Sequence, residues 1–345
     1  MPGSQHRRAC PAAPAGDEAV ASSSAAGRRP PSTPSKNPGD TTMIPNIFHF
    51  VFGLKAQTEP FHLMFYLCLA SCLEVNSPDE VCFHYHHEPY GPWWDRIKPR
   101  LRLHRIDPDR NLNGYVYEDP AIAEFRYAHL ADFIRLEILI AHGGIYADID
   151  TLFLRPVPAS WRFREFTMGR ERPLPGSGGS LCNAWIASAP GAAFTRIWLD
   201  AMRDAFDGSW SNHSTLLPYR LGERHPDLID IEPESAFFSF DWSPEAIGDL
   251  FQRRKCVPEN AYSLHLWHHL WGDRRRRDFC DFHDGLLTVD YVACADTTYA
   301  NHARRFLPND ISGSHLRYHG QRIRESLARP MRRVADRLIE RSSQP

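Results

Sequence analysis

The feature that most constrains this 345-residue chain is a helical pattern that stops at a double glycine and runs without a loop into a short alternating segment. Asp119 reads as N-cap, Pro120 lies in the first turn, and Ile122, Phe125, Phe133, Leu136 and Ile140 form the apolar stripe before Gly143-Gly144 ends it. In the following Ile145-Tyr146-Ala147-Asp148-Ile149-Asp150, apolar and polar residues alternate. An extended backbone would therefore set Tyr146, Asp148 and Asp150 on one face of a strand, beside the sheet that the helix packs on.

The flanking sequence supplies that sheet. Residues 44–52 are β-branched and aromatic and end at Gly53, a helix is expected over about 60–75, and 81–86 and 101–106 read as two further strands. This is the β-α-β rhythm of a largely parallel α/β sheet. Beyond the junction, 166–169 and 181–187 read as strands separated by a glycine-rich loop over 175–180, and Ser188 and Pro190 open an amphipathic helix reaching about Phe206. After Leu228 the pattern is choppy, apart from a Trp/His-rich segment over 261–271.

Residues 1–43 contain one β-branched aliphatic, Val20, and no Phe, Trp or Tyr. Such a segment cannot offset its ordering entropy, so it is expected to be a disordered tail, or upstream sequence if Met43 is the start. The remaining chain, with 42% hydrophobic residues overall, can bury a sizeable core. Forty basic against 42 acidic residues give a net charge of −2, which disfavours nucleic acid as a partner. The longest apolar run, 63–73, is too short to span a bilayer, and the first forty residues hold no signal-peptide core. A cytoplasmic location is therefore expected, where Cys68 and Cys72, on one helical face, would be small buried hydrophobes rather than a disulfide.

Two carboxylates on one face repel unless a cation lies between them. Hard oxygen ligands suit Mg²⁺ or Mn²⁺, and either ion keeps open positions for phosphate oxygens. One helix earlier, Asp132 and Arg135 are three residues apart and share a helical face. They are either an intrahelical ion pair or a clamp for a polyhydroxylated ligand, with Asp accepting from hydroxyls and Arg donating.

Taken together, Ala131-Asp132-Phe133-Ile134-Arg135 and Gly143-Gly144-Ile145-Tyr146-Ala147-Asp148-Ile149-Asp150 resemble the "SD-x-x-R … GGxYxDxD" signature of DXD-containing retaining glycosyltransferases of family 32. That group includes capsular-polysaccharide enzymes and initiating α-mannosyltransferases, and is related to clostridial glucosylating toxins. Ile44-Pro45-Asn46-Ile47-Phe48-His49-Phe50 is similar to the family's opening strand, Asn183 falls in its later Asn-bearing strand, and His265 in its late H-x-W segment. The chain departs from the pattern at Ala131, where the family has Ser, at Phe52, where Trp is common, and in lacking a "tGP" segment, to which Leu221-Gly222-Glu223 comes nearest.

The resemblance implies a GT-A fold, a Rossmann-like catalytic domain over 44–271, and transfer of a sugar, with retention, from a UDP- or GDP-linked donor to a saccharide or glycolipid acceptor. It also implies roles. Asp150 would ligate Mn²⁺ or Mg²⁺ directly, Asp148 would bind the metal or the donor's ribose, His265 would approach the metal or the diphosphate, and Tyr146 would flank the site. Phe52 would lie on the base, Asp132 and Arg135 would grip the sugar, and Asn183 would stand nearest the reacting face.

Two other chemistries fit parts of the sequence. Asp148-Ile149-Asp150-Thr151 also spells the DxDxT of HAD-type phosphatases, but Lys255 is the only downstream lysine, no convincing acidic pair follows it, and the motif comes after three strands rather than opening the domain. A non-catalytic sugar- or metal-binding protein would carry the same ligands without turnover. Residues 272–345 are expected to form an extension ending in a basic amphipathic helix, with Ile323, Leu327, Met331, Val334 and Leu338 interleaved with arginines. That helix would either pack on the catalytic domain or lie on an anionic membrane surface.

Overall fold

The structure is a computed structural model that describes residues 43–108, 117, 123–273 and 279–327. Outside these residues lie the expected tail up to residue 42, the Asp119-Pro120 cap, Ile122, the arginine run 274–277, and the far half of the C-terminal helix with Met331, Val334 and Leu338.

A seven-stranded sheet forms the centre, in the order β3-β2-β1-β4-β7-β6-β8. Its strands are β1 (Ile47–Phe52), β2 (Glu80–Tyr85), β3 (Arg102–Arg105), β4 (Gly144–Ala147), β6 (Phe166–Arg170), β7 (Leu181–Ser188) and β8 (Asp230–Glu232). The first four are mutually parallel, while β7 runs antiparallel to both β4 and β6. Two further strands, β5 (Thr151–Phe153) and β9 (Ser263–His265), pair antiparallel as a separate ribbon.

Both faces of the sheet are covered, which is why β1 reads as a continuous apolar run rather than an alternating one. Phe48 and Phe50 face helix α1 (Leu63–Asn76), which is apolar on all sides and buried from Leu63 to Cys72. His62 caps α1, its Nδ1 accepting from the Met64 N–H at 3.1 Å. Val51 faces the other layer, built from helices over Arg126–His142 and Ala193–Ala205, the second burying Phe194, Trp198, Leu199 and Met202. Cys68 and Cys72 lie fully buried in the α1 core, where burial pushes both thiols well above their usual pKa.

Gly143 and Gly144 make the helix-to-strand junction as the sequence requires. Gly144 has φ +103°, and a Cβ there would stand 2.5 Å from the Ile47 carbonyl oxygen. No side chain fits between β4 and β1 at that point.

One expectation is corrected. The strand ends at Ala147, and Asp148-Ile149-Asp150 is a turn, closed by the Thr151 N–H donating to the Asp148 carbonyl at 3.0 Å. The chain must leave the large sheet here because Thr151 pairs with His265 in the β5–β9 ribbon. Asp148 and Asp150 therefore converge through a turn, not through strand alternation.

Residues beyond 271 also contribute to the core. Tyr291, Tyr299 and Phe306 sit in the same core as Phe48 and α1, and the Tyr291 hydroxyl donates to the Phe251 carbonyl at 2.8 Å. Residues 315–327 are helical, with Leu316, Ile323 and Leu327 exposed. Among the described residues, no helix is long and apolar enough to cross a membrane.

Candidate active site

A cavity of about 1220 Å³ opens at the carboxyl ends of β1 and β4, lined there by Phe52, Gly53, Asp148 and Asp150. Successive strands lead away from β1 in one direction, through β2 and β3, and then return on its other side as β4. Open α/β sheets bind ligands at such a switch point.

Three side chains meet on its floor. His265 Nε2 lies 3.3 Å from Asp150 Oδ1 and 3.7 Å from Asp148 Oδ2, and one ligand atom from each of the three residues lies within 4.8 Å of the others. Among the described residues this is the one such grouping of His, Cys, Asp and Glu. Asp148 Oδ1 also accepts from the Tyr146 hydroxyl at 2.7 Å. Asp150 Oδ2 accepts from the His268 N–H at 2.8 Å, and its carbonyl from the Leu266 N–H at 3.0 Å. Burial resists charge on this group, but the opposed charges outweigh it: Asp150 is held far below the usual carboxylate range by His265, and His265 is held protonated by Asp150 and Asp148.

Behind the turn is a buried network around Asp132. Its Oδ1 accepts from Asn183 Nδ2 at 2.7 Å and pairs with Arg135 Nη2 at 2.9 Å, and its Oδ2 faces His213 Nε2 at 3.0 Å. Burial would raise this carboxyl, yet Arg135 and His213 keep it below its ordinary value. Arg135 is itself buried over the Tyr146 ring, 4.5 Å from the centroid. It donates from Nη1 to the Asn183 carbonyl at 2.6 Å and from Nε to the Ala131 carbonyl at 3.1 Å, and Nη1 reaches Asp148 at 3.4 Å. The ion pair legible in the sequence is therefore formed. It is a strut joining the helix, the DxD turn and the Asn183 strand, with much of the guanidinium's donor capacity already engaged.

The cavity thus brings together Asp132, Arg135, Tyr146, Asp148, Asp150, Asn183 and His265. Phe52 also lines it, with its ring held in an aromatic cluster 5.4 Å from Phe61 and 5.0 Å from Phe65. The sequence did not mark His213, the His268 amide or Glu171, a buried carboxylate on the cavity wall. His213 sits in an irregular π-helical turn whose composition reads as loop, and the other two are found only by tertiary packing. Lys255, the lysine a DxDxT phosphatase would need, instead lies 3.6 Å from Asp249 and is not among the residues lining the cavity.

Residues 93–167 match the family model of the glycosyltransferase sugar-binding region containing DXD motif. The chain is 32% identical over 244 residues to glucan organizing enzyme 1 of Cryptococcus neoformans var. grubii, covering 66% of this chain and 63% of that protein. It is 24% identical over 151 residues to the O-glycosyltransferase PaGT of Phomopsis amygdali, covering 42% and 33%. It spans less than two thirds of the length of either relative. Among solved structures, the galactosyltransferase LgtC in complex with donor and acceptor sugar analogs aligns with a TM-score of 0.39 at 14% identity, over 75% of this chain and 93% of that one. The PaToxG glycosyltransferase aligns at 0.38 and 16%, over 53% and 71%.

The matched segment carries the Asp132–Arg135 helix and the DxD turn, and it marks a DXD-containing glycosyltransferase region in this chain. Its fold is an α/β arrangement on a mixed sheet, with the DxD following the strand beside β1.

Proposed function

We propose that this chain transfers a sugar from a nucleotide diphosphate donor, UDP- or GDP-linked, to a hydroxyl of a saccharide or glycolipid, with Mn²⁺ or Mg²⁺ and with retention at the anomeric carbon. One observation carries the reading: Asp148, Asp150 and His265 converge at the switch-point cavity, directly in front of the Asp132–Arg135–Asn183 network. The His265 ring nitrogens are buried and make no hydrogen bond of good geometry, while Nε2 faces both carboxylates. Two carboxylate oxygens and an imidazole nitrogen suit a divalent ion, Mn²⁺ more readily than Mg²⁺ because one donor is nitrogen. An ion held there supplies Lewis-acid stabilisation to the departing diphosphate.

The chain's own groups do the positioning. Asp132 keeps accepting capacity for a hydroxyl of the donor sugar, because three donors leave part of a carboxylate's four lone-pair sites unused. Arg135 holds Asp132 and Asp148 at a fixed separation, and Tyr146 fixes Asp148 through its hydroxyl. Phe52 stands at the end of β1, where an aromatic ring meets a nucleobase edge or face. Retention follows from the family resemblance. A hydroxyl acceptor accords with the naming of PaGT as an O-glycosyltransferase, and a glucan is the first saccharide to test given the naming of the Cryptococcus relative.

The test is a thermal-shift panel of UDP- and GDP-sugars with and without Mn²⁺, followed by product analysis. A ligand that binds only the native state raises the melting temperature in proportion to RT ln(1 + [L]/Kd). Metal-dependent stabilisation by one donor series, with an α-linked product from an α-linked donor, supports the proposal. No stabilisation by any nucleotide sugar in the presence of Mn²⁺ refutes it, and stabilisation without turnover of any donor favours a non-catalytic binding protein.

A further inference from the structure

The cavity wall has a polar feature with no direct hydrogen bond or ion pair to the metal-side or Asp132 groups. Glu171 follows β6, is 7% exposed and lines the cavity. Its N–H donates to the Ser180 carbonyl at 3.2 Å and its Oε1 accepts from the Ser180 hydroxyl at 2.6 Å, which fixes it beside the start of the strand that carries Asn183. Among the described residues no cation lies within ion-pairing distance of it. The neighbouring arginines are engaged elsewhere: Arg172 Nη1 donates to Asp241 at 2.9 Å, and the Arg170 guanidinium lies 6.0 Å above the Tyr219 ring. Burial raises the pKa of this carboxyl, against the Ser180 hydroxyl, the Cys182 thiol and the more distant charge of His265, which favour its ionised form.

Trp242 lines the same cavity, and Arg172 connects the two residues. The Arg172 guanidinium lies 5.4 Å from the Trp242 ring centroid, and Asp241, its ion-pair partner, also accepts from the Ser243 N–H at 2.8 Å. The indole is thus anchored through the residue that follows Glu171. A carboxylate with accepting capacity to spare and an anchored aromatic ring lining the same cavity fit a saccharide, whose hydroxyls donate to the first and whose C–H face packs on the second. They fit a phosphate or an acidic group poorly.

We propose that Glu171 and Trp242 form the acceptor subsite, in which Glu171 accepts a hydrogen bond from a hydroxyl of the incoming saccharide and Trp242 packs against its ring. The proposal rests on the glycosyl-transfer reading above and extends it from the donor to the acceptor. It assigns the two sides of the reaction to different walls of one cavity, joined through the strand that carries Asn183.

The full chain, loaded with UDP or GDP and Mn²⁺, is titrated calorimetrically with laminari- and malto-oligosaccharides, as wild type, Glu171→Gln, Glu171→Asp and Trp242→Leu. Glu171→Gln is isosteric and removes a buried charge, so its melting temperature is expected to hold or rise. Oligosaccharide affinity is expected to fall about tenfold in Glu171→Gln and in Trp242→Leu, the loss of a charge-assisted hydrogen bond being of that order. Nucleotide affinity should change less than twofold, and Glu171→Asp should recover part of the saccharide affinity. Equal losses for nucleotide and saccharide, or a lowered melting temperature in Glu171→Gln, would show a structural role and overturn the proposal, as would absence of oligosaccharide binding to nucleotide-loaded wild type. Absence of nucleotide binding overturns instead the glycosyl-transfer reading on which it rests.

Discussion

The backbone amide of His268 donates to Oδ2 of Asp150 at 2.8 Å, across 118 residues of sequence. The bond is made possible by Trp267, whose left-handed backbone (φ +54°) turns the chain out of β9 just after His265. The late Trp/His segment therefore contributes a candidate ligand and also orients a second one that lies in the DxD turn.

The carboxylates are expected to be needed for metal and not for folding. Asn at position 150 still presents an oxygen to the His268 amide, so Asp150→Asn should stay folded. It and Asp148→Asn should each abolish the extra thermal stabilisation that Mn²⁺ gives in the presence of nucleoside diphosphate, a loss of several kcal/mol of metal-held binding. A double Asn variant that retained wild-type donor hydrolysis would remove these residues from the site.

Metal binding should release a proton. Without metal, His265 is kept charged by Asp150 and Asp148, and an imidazole must be neutral to act as a ligand. Affinity for Mn²⁺ should therefore rise with pH through the neutral range. Calorimetric titrations in two buffers of different ionisation enthalpy measure the release directly. A value of zero protons at neutral pH would mean that His265 is not a ligand.

The Asp132–Arg135 strut should behave as a buried pair. Arg135→Met leaves the Asp132 charge facing only Asn183 and His213, and such orphaned charges cost roughly 3–5 kcal/mol. In a double-mutant cycle, Asp132→Asn combined with Arg135→Met should recover part of that loss. Asp132→Ala separates ligand binding from structure: it should weaken the intact nucleotide sugar while scarcely affecting the free nucleoside diphosphate. Additive losses in the cycle would contradict the strut.

Acid should destabilise the fold through a cluster at the β1–β2–β3 edge. His49 Nδ1 lies 3.1 Å from His84 Nε2, and His84 stacks on His104 at 4.9 Å. Burial lowers His49 to about 4, against the effect of its bond to the Gly143 carbonyl, and lowers His84 to about 3. Both are neutral in the folded chain at pH values where an unfolded imidazole takes up a proton. Their contribution is complete above pH 6.5 and is lost as pH falls toward 4, on the order of 3 kcal/mol for His49 alone. The melting temperature of wild type should fall across that window, and His84→Leu should flatten the fall; an unchanged slope would place the acid sensitivity elsewhere.

Where local chemistry dictates the fold, the sequence was informative. β1 and β2 follow from runs rich in β-branched and aromatic residues, and the helix stop from a glycine pair that admits no side chain against Ile47. The alternation across Asp148 and Asp150 misleads, because the chain turns to pair Thr151 with His265 and no local signal reports that partner. For the same reason residues 279–307 read as an extension: Tyr291, Tyr299 and Phe306 sit in short helices with weak periodicity and gain meaning only against α1. Glu171 and His213 belong to this class too, since a buried polar group is defined by what surrounds it.

The C-terminal helix bears on where the protein works. Its described part, 315–327, leaves Leu316, Ile323 and Leu327 exposed at helical spacing, with exposures of 84%, 61% and 69%. Arg317, Arg322 and Arg324 flank it, and Arg317 is tied back to Asp290 at 2.8 Å, which anchors the helix at its start. An apolar stripe edged with arginines fits an anionic lipid surface, where the acyl boundary takes the leucines and the headgroups take the guanidinium groups. We propose peripheral membrane contact, with packing of the stripe on the catalytic domain as the alternative. The full chain should pellet with phosphatidylglycerol vesicles at low salt and be released at high salt, and Leu316→Ser, Ile323→Ser, Leu327→Ser should abolish pelleting while leaving the melting temperature unchanged. If wild type stays in the supernatant at low salt, or if the triple variant unfolds at a lower temperature, the stripe is not a membrane contact.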